Sequence, residues 1–188
     1  MSIETTTPGL AELTGTYTID PAHTRIGFVA RHAMVTKVRG AFNDFTGTAV
    51  LDGQNPENST ATVTIKTASI DTRNSQRDGH LRGNDFLSMD EYPEITCVST
   101  GVRQTGADTF DVTGDLMIKG TTKSITIPFS YEGAATDPFG NFRVGLEGSV
   151  VINRKDYGIT WNAALETGGV LVSDKVTLEF EVSAVRNA

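Results

Sequence analysis

Apolar side chains recur at every second position along most of this chain, and that spacing places them on one face of a strand rather than a helix. From Thr24 onward, Ile26, Phe28, Ala30 and His32 share a face, with Arg25, Gly27, Val29 and Arg31 opposite. The same alternation returns in Ala61-Val63-Ile65, in Phe110-Val112-Gly114-Leu116-Ile118 and in Ile125-Ile127-Phe129-Tyr131. It continues through Phe142-Val144-Leu146-Gly148-Val150-Ile152 and ends in Val176-Leu178-Phe180-Val182. Turn chemistry separates these runs: Asp52-Gly53 with Asn55-Pro56, Thr105 to Asp108, Lys119-Gly120-Thr121-Thr122, and Asp137 to Asn141. Antiparallel strands joined by short turns make an all-β sandwich or an up-and-down barrel.

Two features favour the barrel. Gly40, Gly114 and Gly148 stand on the same faces as the aromatics, and an interior glycine lets a strand bend or a ligand come close. The chain also carries 9 Phe against 1 Trp, a large apolar mass for one domain. A filled sandwich core accounts for the same pattern, so the alternation alone leaves both open. One stretch, Asn74 to Met89, breaks the period and is too long for a hairpin turn. It predicts a short helix over Ser75 to Arg82 followed by a loop, although Gly79 inside it costs about 1 kcal/mol against Ala.

Composition narrows the function. The 188 residues suit one domain, expected over 15–188 behind a flexible segment at 1–14. A net charge of −7 argues against nucleic acid and against anionic membrane surfaces, both of which ask for a basic footprint. Cys97 is the single cysteine, so no internal disulfide forms. No apolar run approaches the ~18 residues of a membrane-spanning helix. The opening residues lack the basic start and apolar stretch of a secretory leader. The chain as written is therefore expected to be cytoplasmic and not embedded in a membrane.

No catalytic constellation stands out. His23, His32 and His80 are the only histidines and lack the spacing of a zinc pair, so neither metal nor cofactor is expected. No nucleophile elbow, Gly-rich dinucleotide motif or P-loop occurs. Cys97 alternates with Ile95, which reads as a buried, inert thiol. The densest polar cluster is Arg73, Arg77, Asp78, His80 and Arg82. It could neutralise an anionic head group, or it could be a solvated helix face with Arg77 or Arg82 paired to Asp78 or Asp85.

The order of short motifs resembles the YceI family of polyisoprenoid-binding, lipocalin-like proteins. The resemblance rests on Tyr17 to Thr24, on Ile26 to His32, on Val38 to Phe42 and on Ser69-Ile70-Asp71-Thr72 leading into Arg77 to Arg82. It continues in Asp85-Phe86-Leu87, Tyr92-Pro93, Gly114 to Lys123 and Ile152 to Gly158. It covers about residues 15 to 185 and implies an eight-stranded antiparallel barrel with a helix, enclosing a tunnel for a long isoprenoid or similar amphiphile. The resemblance implies a carrier or buffer, not an enzyme, with a quinone or prenyl diphosphate as its partner; a homodimer is left open. By position it makes Phe28, Phe42, Leu116, Phe129 and Trp161 candidate tunnel walls, and His32, Arg77, Asp78 and His80 candidates for a polar mouth. An enzyme using His32 or His80 on a bound apolar substrate and a ligand-free sandwich module are the competing readings.

Overall fold

The computed structural model describes residues 9–188. Eleven strands run in chain order: β1 Gly15–Ile19, β2 Arg25–His32, β3 Thr36–Phe42, β4 Phe45–Leu51, β5 Thr60–Lys66, β6 Ile70–Asp71, β7 Glu94–Gln104, β8 Thr109–Ile118, β9 Thr121–Thr136, β10 Phe142–Asn153 and β11 Lys175–Arg186. Eight of them close an antiparallel barrel in the order β1-β4-β5-β7-β8-β9-β10-β11, sealed by pairing of β11 with β1. The barrel, not the sandwich, is the architecture.

Strands β2, β3 and β6 prolong the wall at one end. The C-terminal part of β11 pairs with β1 (Ile19 opposite Ala184), while its N-terminal part pairs with β2 (Phe28 opposite Leu178). Between them the chain turns at Pro21–His23, and the ladder survives the break because Ser183 takes over. Its carbonyl accepts from the Asp20 and Thr24 side of the turn, and its N–H donates to Thr24 Oγ1 at 3.0 Å. Backbone groups that would otherwise be orphaned at the barrel seam are thus paired.

A single α-helix, α1 (Ser75–Arg82), occupies the link between β6 and β7, at the span the sequence predicts. Asn74 caps its first turn by accepting from the Arg77 N–H at 2.9 Å, and the chain leaves it at Gly83. Residues 1–8, most of the segment expected to be flexible, lie outside the described residues. Within the remainder, Leu10–Leu13 form a 3-10 turn with Leu13 buried. The core falls into two clusters that meet along the barrel axis. One gathers Ile26, Phe45, Ile65, Phe86, Leu87, Leu116 and Tyr157 at the α1 end; the other gathers Leu13, Tyr17, Tyr131, Val144 and Ala184 at the opposite end.

A candidate lipid cavity

The inward faces of the strands leave a cavity of about 360 Å³. It touches both core clusters, with Leu81, Phe86 and Leu87 at the α1 end and Leu10, Leu13, Gly53 and Pro56 at the other. The period-two sets read from the sequence supply the wall: Ala61-Val63-Ile65, Phe110 to Ile118, Ile125 to Tyr131 and Val176 to Val182 all face it. Phe28 and Phe42 lie against each other with ring centroids 5.8 Å apart, and Phe129 and Phe180 at 6.0 Å. Glycine makes room for two of these rings. Phe28 lies over Gly40 on the neighbouring strand and Phe129 over Gly148, where any side chain would collide with the ring.

The expected site residues divide into four groups. Phe28, Phe42, Leu116 and Phe129 line the cavity. Trp161, His80 and Phe86 form an aromatic cluster on the α1 end, with His80 edge-on to Trp161 at 4.8 Å and to Phe86 at 5.0 Å. Of the three, only Phe86 reaches the cavity wall. His80 Nε2 also meets Asp85 Oδ2 at 2.9 Å. His32 is exposed at the end of β2, where its backbone bridges to the cavity-lining Val172, and its own side chain is not part of the wall.

Arg77 and Asp78 are occupied by the fold. Asp78 is buried at 6% exposure and accepts from both the backbone N–H and the hydroxyl of Thr72. Arg77 donates from Nε to Thr72 Oγ1 and from Nη2 to the Thr72 carbonyl, both at 2.7 Å. Arg82 adds bonds to the carbonyls of Ala68 and Ile70. These two arginines and Asp78 therefore tie α1 to the end of β6 and the turn before it. Arg77 and Asp78 do not pair with each other, whereas Arg73 and His80 of the same cluster are exposed, His80 against Asp85.

Two residues inside the Ile152 to Gly158 motif matter more than the sequence disclosed. Arg154, 4% exposed, sits at the cavity wall with its guanidinium spent on backbone carbonyls: Ser173, Ile159 and Trp161 at 2.8 Å and Val172 at 3.3 Å. Burial pulls its pKa down, opposed by Asp174 at 3.8 Å. Tyr157 is 2% exposed and also lines the cavity, and its hydroxyl has no hydrogen-bond partner among the described residues. Burial, then Asp156 and Cys97, push its pKa up to about 12. Both residues stand in a motif the sequence displays; which of its polar atoms are satisfied depends on loops at 159–174 that carry no periodic signal.

Cys97 faces the cavity from β7 and is half-buried. Burial and then Asp115 raise its pKa, so the thiol stays protonated and weakly nucleophilic. Among the described residues no group of three His, Cys, Asp or Glu is placed to hold a metal ion. No described helix is long and apolar enough to cross a membrane.

The geometry is that of a lipocalin-like barrel closed around an apolar interior. The model of the YceI-like domain matches residues 17–184, and the chain belongs to that family. A UPF0312 protein of Staphylococcus aureus is 40% identical over 171 residues, covering 89% of this chain and 95% of the relative. A UPF0312 protein of Azotobacter vinelandii is 41% identical over 145 residues, 76% of each chain. Among solved structures, the YceI protein of Campylobacter jejuni is 28% identical with a TM-score of 0.73, covering 84% of this chain and 90% of that one. Burkholderia cenocepacia BcnA shares the fold at 24% identity and a TM-score of 0.78, covering 88% and 98%. So does a polyisoprenoid binding domain from Saccharophagus degradans at 16% identity and 0.69, covering 91% and 98%.

Proposed function

We propose that this protein binds a long isoprenoid-type lipid inside its barrel, as a tunnel, and carries or buffers it without altering it. The observation that carries this reading is the cavity itself. Its wall is built from the inward apolar faces of the barrel strands, and the polar side chains that reach it are mostly committed to the protein. Each CH₂-sized unit moved from water into such a wall gains about 0.8 kcal/mol, so the tail supplies the affinity. The volume of about 360 Å³ lies towards the lower end of ligand pockets, roughly 300–1,000 Å³. The Saccharophagus degradans domain of the same fold is described as polyisoprenoid binding.

In this reading Phe28, Phe42, Leu116 and Phe129 are the wall, and α1 with Trp161 and His80 backs one end. Arg77 and Asp78 hold that end in place, and His32 takes no part. A working enzyme would need an activated group at the wall, and the protonated Cys97 is not one. Native mass spectrometry of freshly purified protein should detect a co-purifying lipid that organic extraction removes unchanged. Phe28→Asp should abolish its retention, because an unpaired carboxylate facing an apolar cavity is strongly unfavourable. Retention of the same lipid by the folded variant, or none by the wild type, defeats the proposal.

A further inference from the structure

Among the polar atoms at the cavity wall, most have an evident duty. The Tyr17 hydroxyl donates to the Leu13 carbonyl at 2.8 Å, and Ser99 Oγ accepts from the Ala61 N–H at 2.8 Å. The Arg154 guanidinium is divided over four carbonyls. The Tyr157 hydroxyl is different: it is buried at the α1 end, in a residue that lines the cavity, with no partner among the described residues. A buried hydroxyl left unpaired costs about 1–3 kcal/mol, so this one, enclosed just behind the cavity wall, gains a partner when a bound ligand parts the side chains that cover it.

We propose that Tyr157 is the polar anchor of the bound lipid, donating its O–H to an uncharged acceptor oxygen of carbonyl type. The lipid then lies with that oxygen at the α1 end and its tail running towards the turn at Leu10–Leu13. This rests on the lipid-binding reading above and sharpens it to one head-group class. The charge balance selects that class. A diphosphate drawn into the cavity would need free cations, and among the described residues the cation at the wall, Arg154, has its donors committed. Lys119, on the β8–β9 hairpin, points its ammonium at the Gly158 carbonyl. A hydroxyl whose pKa is pushed to about 12 stays a donor throughout the physiological range, and one donor matches one carbonyl oxygen.

The test titrates wild type and Tyr157→Phe with four ligands of matched tail length. They are a prenylated quinone, a straight-chain methyl ketone, the prenylated benzene that lacks the oxygens, and a prenyl diphosphate. Tyr157→Phe should weaken the carbonyl ligands about 3- to 10-fold and leave the hydrocarbon unchanged. Loss for the quinone alone, or for quinone and ketone together, identifies which carbonyl source the site accepts, and either supports the anchor. The carbonyl stretching band of the bound ligand should shift back towards its unbonded frequency in the variant. The ligand-free variant should melt no lower than wild type, since it loses only an unpaired hydroxyl. A marked fall in melting temperature would reveal a structural partner and overturn the inference. Equal effects on carbonyl and hydrocarbon ligands, or tighter binding of the diphosphate than of the carbonyl lipids, would also overturn it while leaving lipid binding intact. Failure of all four ligands to bind wild type would defeat the lipid-binding reading and this one together.

Discussion

The two ends of the barrel are closed by different physics. At the α1 end the closure is polar and buried. Asp78 and Arg77 grip Thr72, Arg154 gathers four carbonyls from the loop at 159–173, and Phe86 and Leu87 fill the space beneath. At the other end a four-residue turn, Leu10–Leu13, lies across the opening on apolar contacts. Among the described residues few hydrogen bonds hold it: Tyr17 Oη to Leu13 O at 2.8 Å, Arg186 Nη1 to Glu12 O at 3.0 Å and Gly53 N to Thr14 Oγ1 at 3.0 Å. A buried polar network is costly to open, since each broken bond strands a desolvated partner. An exposed turn on apolar contacts opens at the smaller cost of local fraying. Among the described residues the cavity thus has a firmly fixed end and a more lightly fastened one.

Three experiments bear on that comparison, and the largest effect belongs to the fixed end. Arg154→Met keeps the bulk but strands up to four buried carbonyls, at about 1–3 kcal/mol for each that water cannot reach. Unfolding in denaturant should show a loss of at least about 3 kcal/mol. A loss under about 1 kcal/mol would mean the loop at 159–173 holds itself.

The loose end should respond less, and locally. Gly53 lies so close under Leu10 that a methyl group would fall on its carbonyl. Gly53→Ala should therefore lift the turn, costing about 1–2 kcal/mol as overpacking usually does. Amide exchange should quicken across residues 10–17 and stay unchanged across 72–82. Equal quickening at both ends would erase the distinction between them.

The smallest effect is electrostatic and again sits beside the loose end. Arg143 bridges Asp137, at 2.7 Å, and Asp20, at 2.6 Å. The Arg143 hydrogen bond, followed by backbone N–H groups, holds the Asp137 pKa down at about 2; Arg143 and then His23 lower that of Asp20. A carboxylate whose folded pKa lies below its unfolded value of 3.8 contributes stability above that pH. That contribution is lost as pH falls through about 2. Between about pH 4 and pH 2 the wild type should lose stability more steeply than Arg143→Ala, by thermal melts at matched pH. Parallel curves would show that the bridge is only a solvated contact.

Much of this was legible in the chain, and the failures have physical causes. The inward sets on β8, on β11 and on β9 as far as Tyr131 could be read directly, because each buries one face and the pleat alternates there. Helix α1 could be read from the break in that alternation. The alternation misleads at β7, where Ile95, Cys97 and Ser99 face inward and then Val102 does. Thr100 is an extra residue opposite the Gly114–Thr113 step, and this bulge moves the inward face from odd to even positions. Glu132 does the same on β9, so Tyr131 and Ala134 both pack inward. Each bulge lies beside a strand-interior glycine, Gly101 and Gly133, the one local mark it leaves; which strand takes the extra residue answers to the curvature of the whole barrel.

The site divides along the same line. Phe28, Phe42, Leu116 and Phe129 reach the cavity because strand parity, a local property, decides which way they point. Arg77 and Asp78 stood out as charges, but charge says nothing of its partner, and Thr72 claims both only once β6 and α1 are brought together. Tyr157 drew no attention as one residue in a motif, since a hydroxyl acquires meaning only when its neighbours are known. The sequence by itself determined an all-β chain with apolar inner faces and one helix, because period and turn chemistry are written residue by residue. Only the tertiary structure decided that those faces enclose a cavity, that its two ends are fastened differently, and that one hydroxyl in it is left without a protein partner. Those are properties of distances between residues far apart in the chain, and no local pattern encodes them.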